Sequence, residues 1–185
     1  MKISSIEDYK FSVVDLETTG FSPAKHEIVE ICVVQLYKGQ VINVFETFVK
    51  PQNPVKLSLT KLHRIDNDML MVAPEKEDVI PKVIDLLSNT ILVEHSTNDF
   101  DSRFLESFLK CKPWSYAVNT LKLAKTCYPR LAKYNLPSLC RSLSIELTSQ
   151  HTARGDAEAT AELFKMLIPK IQSIGFTPTL TSMSE

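Results

Sequence analysis

Two acidic residues interrupt an apolar segment near the start of the chain. The segment runs from Phe11 to Val14 and then places Asp15 and Glu17 two positions apart. Residues i and i+2 of a β-strand project from the same face, so the pattern predicts a buried strand that ends in two neighbouring carboxylates. Such a pair is repulsive unless cations hold it, and its oxygen ligands suit Mg²⁺ or Mn²⁺. A strand that simply runs into a polar turn gives the same short motif by chance.

A further acid, Asp101, lies on a predicted helical face that is otherwise apolar. The apolar residues that define this face recur with helical spacing and are Phe100, Phe104, Leu105, Phe108 and Leu109. Asp101 falls near the middle of the face, whereas Asp99, about 200° away, is predicted to point to solvent as an acid at the helix N-terminus. A buried carboxylate needs a partner. For Asp101 we expect a metal ion, with a buried lysine or arginine as the alternative.

Asp156 repeats this anomaly in the last predicted helix. It is the one acid on the packing face, which includes Leu163, Phe164 and Leu167, while Glu158, Glu162 and Lys165 lie opposite. His151 stands five residues upstream, in the predicted loop or first turn before the helix. A histidine at this place can take a proton near neutral pH as a general base, and a solvated surface residue is the alternative.

These three segments resemble the motifs of the DEDDh 3′→5′ exonucleases, the group that contains the proofreading epsilon subunit of bacterial DNA polymerase III. The matching motifs are Asp15-Leu-Glu17-Thr-Thr-Gly20, Phe100-Asp101 and His151-x-x-x-x-Asp156. The resemblance implies that Asp15, Glu17, Asp101 and Asp156 hold two divalent ions, Mg²⁺ or Mn²⁺, and that His151 is the general base. It also implies release of nucleoside 5′-monophosphates from a 3′ end, with Thr18, Leu62 and His63 near the terminal nucleotide. For the last two, a core role for Leu62 and a surface role for His63 are the alternatives.

One stretch departs from the family pattern. The family has His-Asn a short fixed distance before Phe-Asp, whereas the segment from Glu94 to Asp99 is one residue longer here. The helical phase of Asp101 and its neighbour Phe100 still assign Asp101 to the second motif.

The order of predicted elements indicates an α/β fold. Strands are predicted at residues 11–16, 28–37, 41–49, 91–93 and 114–118, with a turn at 38–40. A region of short helices is predicted at 58–71, and helices at 75–87, 100–109, 121–128, 136–142 and 156–171. Such alternation favours a layered α/β domain, and the resemblance implies a ribonuclease H-like mixed sheet flanked by helices in three layers. We expect one exonuclease domain over residues 1–174 and a flexible C-terminal tail over 175–185, which is a candidate partner-binding segment.

Composition is consistent with this interpretation and limits the mode of binding. A net charge of −1 provides no general attraction to nucleic acid, so we expect the chain to bind a short, single-stranded or frayed DNA 3′ end. The nearest local basic excess comprises Lys122, Lys125, Arg130, Lys133 and Arg141, and a solvated helical face explains it equally well. The four cysteines have no Cys-x-x-Cys spacing and are predicted to be reduced core thiols. No signal peptide or membrane span is evident, so we expect a cytoplasmic protein.

Two other functions remain open at this stage. The same site could act on short or structured RNA ends, because no residue identifies a reader of the 2′-OH. Alternatively, the chain could be a catalytically idle module that binds nucleic acid or a polymerase, although all five motif residues are present. A DNA polymerase is in either case a candidate partner.

Overall fold

A mixed five-stranded sheet forms the centre of the computed structural model, which describes residues 6–173. After a short 3-10 helix at Ile6–Asp8, the elements in chain order are β1 (Lys10–Thr18), β2 (Ile28–Tyr37), β3 (Gln40–Phe48), α1 (Leu57–His63), α2 (Asn67–Met71), α3 (Lys76–Leu87), β4 (Ile91–Glu94), α4 (Phe100–Leu109), β5 (Tyr116–Asn119), α5 (Thr120–Cys127), α6 (Leu136–Leu143) and α7 (Ala153–Ser173). The predicted tail at 175–185 lies outside the described residues.

The strand order is β3-β2-β1-β4-β5. β1 pairs antiparallel with β2 and parallel with β4, and β5 continues the parallel half. Because β1 and β4 are adjacent and parallel, their carboxyl ends meet at one edge of the sheet. The segments that follow these two ends, including the start of α4, are thereby brought together.

Alternation along β1 divides its side chains between two packed layers. Val14 and Leu16 join a core cluster with residues of α3 and α4. Phe11 and Val13 face the other way and pack against α7, where the ring of Phe11 lies 4.9 Å from that of Phe164. The α/β fold with helices on both faces of a mixed sheet is confirmed.

Most element boundaries agree with the sequence prediction to within a few residues, and the differences have tertiary causes. β1 continues past Leu16 to Thr18 because Glu17 and Thr18 still pair with β2. α7 begins at Ala153, three residues before the predicted start, and the carboxylate of Glu30 on β2 accepts the N–H of Ala153 at 2.9 Å. A sequence pattern does not reveal that a distant strand provides this N-terminal acceptor.

The cysteines form no disulfide, as predicted, but they are not all core residues. Cys32 and Cys140 are buried, whereas Cys127 is half-buried and Cys111 is exposed. Within residues 6–173, no helix combines the length and the apolar character that a membrane crossing requires.

Candidate active site

Asp15 and Glu17 continue the face of β1 that packs against α7. The odd-numbered residues Phe11 and Val13 are buried on that face, and the two acids follow them in the same direction at the carboxyl end of the strand. Asp156 comes from the first turn of α7, directly above this end. One carboxylate oxygen each from Asp15, Glu17 and Asp156 lie within 4.8 Å of one another. The sequence-predicted convergence of these three acids is therefore present in the fold.

The hydrogen bonding of Asp156 leaves one of its oxygens available. Oδ2 accepts the backbone N–H of His151 at 3.2 Å. Oδ1 is buried and has no hydrogen-bond partner among the described residues. An unsatisfied buried carboxylate oxygen is costly unless a cation or a donor that the protein itself does not provide approaches it.

The electrostatics of the cluster also favour the binding of a cation. Burial raises the pKa of Asp15 well above its ordinary value, and the charges of Asp101 and Asp156 raise it further. Burial, with a smaller contribution from Glu30, raises the pKa of Glu17 to about 8. Burial likewise raises the pKa of Asp156, against the opposing effect of the His151 N–H. Carboxylates that resist ionisation when alone are the expected state of a site built to bind cations.

Asp101 is buried at the start of α4, as its helical phase predicts. Its side chain is 4% exposed, and it contributes the largest charge effect on the pKa of Asp15. The ligand atoms of Asp101 do not join the 4.8 Å group formed by the other three acids. Within residues 6–173, no lysine or arginine forms an ion pair with Asp101, so the alternative of a buried salt bridge is excluded there.

Asp99 is a half-exposed acid at the start of α4, as predicted. Asp99 does occupy the N-cap position, but with a left-handed φ of 54° its side chain makes no capping hydrogen bond. Its carboxylate instead binds Nζ of Lys122 at 2.8 Å and accepts Nδ2 of Asn119 at 3.0 Å. The helix is capped by Glu94 instead. Its Oε2 accepts hydrogen bonds from the N–H groups of Asp101 and Ser102 at 3.1 and 3.2 Å.

His151 lies in a tight loop that is tied to α7. Its backbone is left-handed, with φ 63°, and its ring Nε2 lies 3.0 Å from Nε2 of Gln150. The hydroxyl of Thr152 donates to the carbonyl of Ser149 at 3.0 Å and accepts the N–H of Gly155 at 3.1 Å. A Cβ at Gly155 would overlap that carbonyl, so the loop packs this closely only because residue 155 is glycine.

The three predicted substrate contacts have different environments. Thr18 is buried and donates its hydroxyl to the carbonyl of Gly20 at 2.7 Å. Leu62 is 46% exposed and His63 is 2% exposed, which is the reverse of the alternative that made Leu62 core and His63 surface. Nδ1 of His63 accepts the N–H of Ile65, and its buried Nε2 has no partner among the described residues. Burial lowers the pKa of His63.

Sequence reasoning did not assign roles to two further acids at this edge. Glu30 pairs across the sheet with Glu17, is 3% exposed and caps α7 through Ala153. Glu94 is 1% exposed and caps α4. Each acid occurs in an otherwise apolar strand, the same signal that singled out Asp15, and that signal could have found them both.

Comparison with known proteins agrees with this geometry. A family model described as Exonuclease matches residues 12–164. The chain is 39% identical over 171 residues to the DNA polymerase III PolC-type of Caldanaerobacter subterraneus subsp. tengcongensis, and 36% identical over 168 residues to that of Bacillus subtilis. The alignments cover 90% and 88% of this chain but only 12% of each relative, so the chain spans about an eighth of the length of these curated relatives.

Solved structures show the same fold. Exonuclease X in complex with 5′ overhanging duplex DNA superposes with a TM-score of 0.73 and 25% identity, over 93% of this chain and 97% of that one. Escherichia coli exonuclease I in complex with a dT13 oligonucleotide gives a TM-score of 0.80 at 17% identity, over 90% and 42% of the two chains. With the family match extending across the sheet and all three acidic motifs, this chain belongs to the exonuclease family.

Proposed function

We propose that this domain hydrolyses DNA from the 3′ end and releases nucleoside 5′-monophosphates, with Mg²⁺ or Mn²⁺ as cofactor. The observation that carries the proposal is the group of carboxylate oxygens from Asp15, Glu17 and Asp156 within 4.8 Å of one another. No cation of the described protein neutralises these acids, and Asp156 Oδ1 has no partner. An all-carboxylate donor set fits a hard divalent ion.

In the proposed site, two divalent ions would be held by Asp15, Glu17, Asp101 and Asp156. The ions would supply an activated water and neutralise negative charge on the phosphate and the leaving 3′ oxygen. Asp15 and Glu17 are fixed by the sheet, and Asp101 by the capped start of α4. The protein therefore provides ligands whose backbone positions are set before substrate binds.

His151 is the proposed general base. Ring Nε2 of His151, which lies 3.0 Å from the side-chain amide nitrogen of Gln150, is the nitrogen proposed to act. This nitrogen can accept the proton of the attacking water once the Gln150 contact opens. The bond from the His151 N–H to Asp156 Oδ2 keeps the loop beside the acidic group during that exchange.

An exposed aromatic side chain supports a nucleic acid substrate. Phe21, 84% exposed, follows the Gly20 carbonyl that receives the Thr18 hydroxyl at the end of β1. An aromatic ring at this place offers a stacking surface for a base near the 3′ end. Thr18, Leu62 and His63 remain the proposed contacts to the terminal nucleotide, and Leu62 is the most exposed of the three.

The similarities favour DNA and a replication context. Exonuclease X, which matches this chain almost end to end, is seen with duplex DNA, and both polymerase relatives described above are of the DNA polymerase III PolC-type. We therefore propose single-stranded or frayed DNA 3′ ends as substrate, with a DNA polymerase as partner, in proofreading or repair. A cytoplasmic location fits this role and the four unpaired cysteines.

A comparison of three labelled substrates tests the proposal. Single-stranded DNA, a duplex with a mismatched 3′ end and an RNA of the same sequence are incubated separately with Mg²⁺, and initial rates are measured. We expect rapid release from single-stranded and mismatched DNA and slower release from RNA. A preference for RNA would make the domain an exoribonuclease, and no hydrolysis of any substrate by protein that still binds Mn²⁺ would make it a binding module.

A further inference from the structure

A cavity of about 310 Å³ is lined by four lysines, by the segment that follows β1 and by α4. We call it the lysine cavity, and its basic residues are Lys25, Lys50, Lys76 and Lys110. Phe104 and Phe108 of α4 contribute to its wall. Nothing in the proposed hydrolysis uses these residues.

The positive charge of the lysine cavity is only partly compensated. Lys50 pairs with Glu75 at 2.7 Å, and Nζ of Lys76 lies 5.2 Å from the centre of the Phe108 ring. Among residues 6–173, Lys25 and Lys110 have no ion-pair partner. Four ammonium groups around one cavity contrast with the net charge of −1 for the whole chain.

Glu27, the acid among the residues that line the cavity, accepts a hydrogen bond from the backbone. Both carboxylate oxygens of Glu27 lie 3.1 Å from the backbone N–H of Gln52, which donates to them. This hydrogen bond does not neutralise Glu27, but four lysines against one carboxylate still leave the lining of the cavity positively charged. Ammonium groups of this kind bind phosphate as point charges.

Two structural elements connect the lysine cavity to the acidic site. α4 carries Asp101 in its first turn and Phe104 and Phe108 farther along, about 4.5 Å and about 10 Å away along the helix axis. The segment after β1 is the second connection. Its residue Pro23 accepts the hydroxyl of Ser107 on α4 at 2.9 Å, and Thr19 donates its N–H to the carbonyl of Glu27 at 2.9 Å.

Lys110, the C-cap residue of α4, lies nine residues after Asp101, about 13.5 Å along the helix axis, which is the length of no more than about four nucleotides at the duplex spacing of about 3.4 Å per phosphate. From this geometry we infer that the lysine cavity binds backbone phosphates of the nucleic acid whose 3′ end occupies the acidic site. The inference rests on the proposed function, because it takes the nucleic acid from there. It assigns to this chain a local electrostatic contact that its net charge does not provide.

The salt dependence of strand binding tests the inference. The affinity for a fluorescent single-stranded 12-mer is measured by anisotropy at several salt concentrations, in chelator, so that no hydrolysis occurs. Each phosphate contact contributes about 0.7 to the slope of log affinity against log salt for single strands. The variant Lys25→Gln/Lys110→Gln should therefore bind more weakly at low salt, with a slope smaller by about 1.4.

A matched control removes the same charge elsewhere. Lys125 and Lys133 are also exposed, and they belong to the other basic region of the chain. The variant Lys125→Gln/Lys133→Gln should keep the wild-type slope. Equal changes in the two variants, or no change in the cavity variant, would overturn the inference.

Two further measurements separate the remaining outcomes. If inorganic phosphate raises the melting temperature of the wild type but not of the cavity variant, while strand binding is the same in both, the cavity binds free phosphate and the strand inference is wrong. Hydrolysis is measured in parallel with Mg²⁺. If the cavity variant shows the smaller salt slope but the wild type hydrolyses nothing, the cavity assignment stands and the proposed function is wrong. If the wild type hydrolyses DNA but the slope of the cavity variant is unchanged, the proposed function stands and the cavity assignment is wrong.

Discussion

The backbone N–H of His151 donates a hydrogen bond to Oδ2 of Asp156, with 3.2 Å between the two heavy atoms. This bond leaves Oδ1 of Asp156 without a partner among the described residues and aligns the loop of the proposed base with a proposed metal ligand. Ligand and base are therefore mechanically linked through the first turn of α7. Of these two residues, Asp156 contributes a ligand atom to the carboxylate group and His151 does not. Substitutions at the two positions should therefore affect metal binding and turnover differently.

Replacement of Asp15 or Asp156 by alanine should abolish hydrolysis without unfolding the protein. Each substitution removes a ligand from a repulsive group whose pKa values are raised, so the metal-free variants should melt at the wild-type temperature or above it. Thermal melting with and without Mn²⁺ measures this. Asp85→Ala, at an exposed position on α3, is the control and should keep the full stabilisation by Mn²⁺. Equal stabilisation of all variants by the metal would refute the ligand assignment.

Metal binding at neutral pH should release protons. The pKa of Glu17 is about 8 in the folded protein and near its ordinary value of 4.5 in the unfolded chain. A raised folded pKa contributes stability below about pH 4.5 that is lost as the pH rises through about 8, so the metal-free protein should become less stable across that interval. Titration calorimetry with Mn²⁺ at pH 7, in two buffers of different ionisation enthalpy, should detect the released protons. Glu17→Gln should release fewer, and a wild type that releases none would contradict the raised pKa.

Substitutions of Asp99 and Asp101 should have very different effects on the rate of hydrolysis, although the two residues are only two positions apart. Asp101→Asn should reduce the rate by several orders of magnitude, because it removes a buried carboxylate of the acidic site. Asp99→Asn weakens an exposed pair with Lys122 and should cost only about 0.2–1 kcal/mol of stability. Rates from single-turnover assays and stabilities from urea unfolding give both values. Similar losses of rate in the two variants would invalidate the distinction.

His151→Ala should impair turnover and leave binding intact. A general base contributes about 10²–10⁴-fold to the rate, and the His151 side chain is not a member of the carboxylate group. Mn²⁺ affinity and strand affinity should therefore match the wild type while kcat falls by that factor. If metal affinity falls in proportion to kcat, His151 acts as a ligand and the assignment as base is wrong.

Gly155→Ala should act through His151. The added Cβ would collide with the carbonyl of Ser149 and displace the loop that carries the base, so kcat should fall while Mn²⁺ affinity is retained. In a His151→Ala background the same substitution should cause little further loss, because the base is already absent. Additive losses in the double variant would show that Gly155 affects the site by another route.

The acidic residues could be predicted from the sequence because each violates a local periodicity. Asp15 and Glu17 interrupt an apolar strand, and Asp101 and Asp156 lie on apolar helical faces. That Asp15, Glu17 and Asp156 meet, with the charge of Asp101 close enough to raise the pKa of Asp15, follows from the parallel pairing of β1 with β4 and the packing of α7 on the sheet, which the family resemblance implied. Local periodicity therefore located the residues, and topology brought them together.

The helix N-termini could not be predicted in the same way. Helical phase placed Asp99 correctly at the start of α4, but the N–H groups there bind Glu94, which is separated from them by an irregular loop. Similarly, Glu30 is more than a hundred residues from Ala153, whose N–H it accepts. A capping acceptor that comes from a strand depends on tertiary packing, and no local pattern around the helix encodes it.

The products formed from a 5′-labelled single-stranded DNA test the central claim most directly. With Mg²⁺, the account predicts a ladder of labelled strands that shortens by one nucleotide at a time from the 3′ end, accompanied by nucleoside 5′-monophosphates and absent with Asp15→Ala. Internal fragments, early release of the labelled 5′ nucleotide, or an unchanged ladder with Asp15→Ala would contradict it.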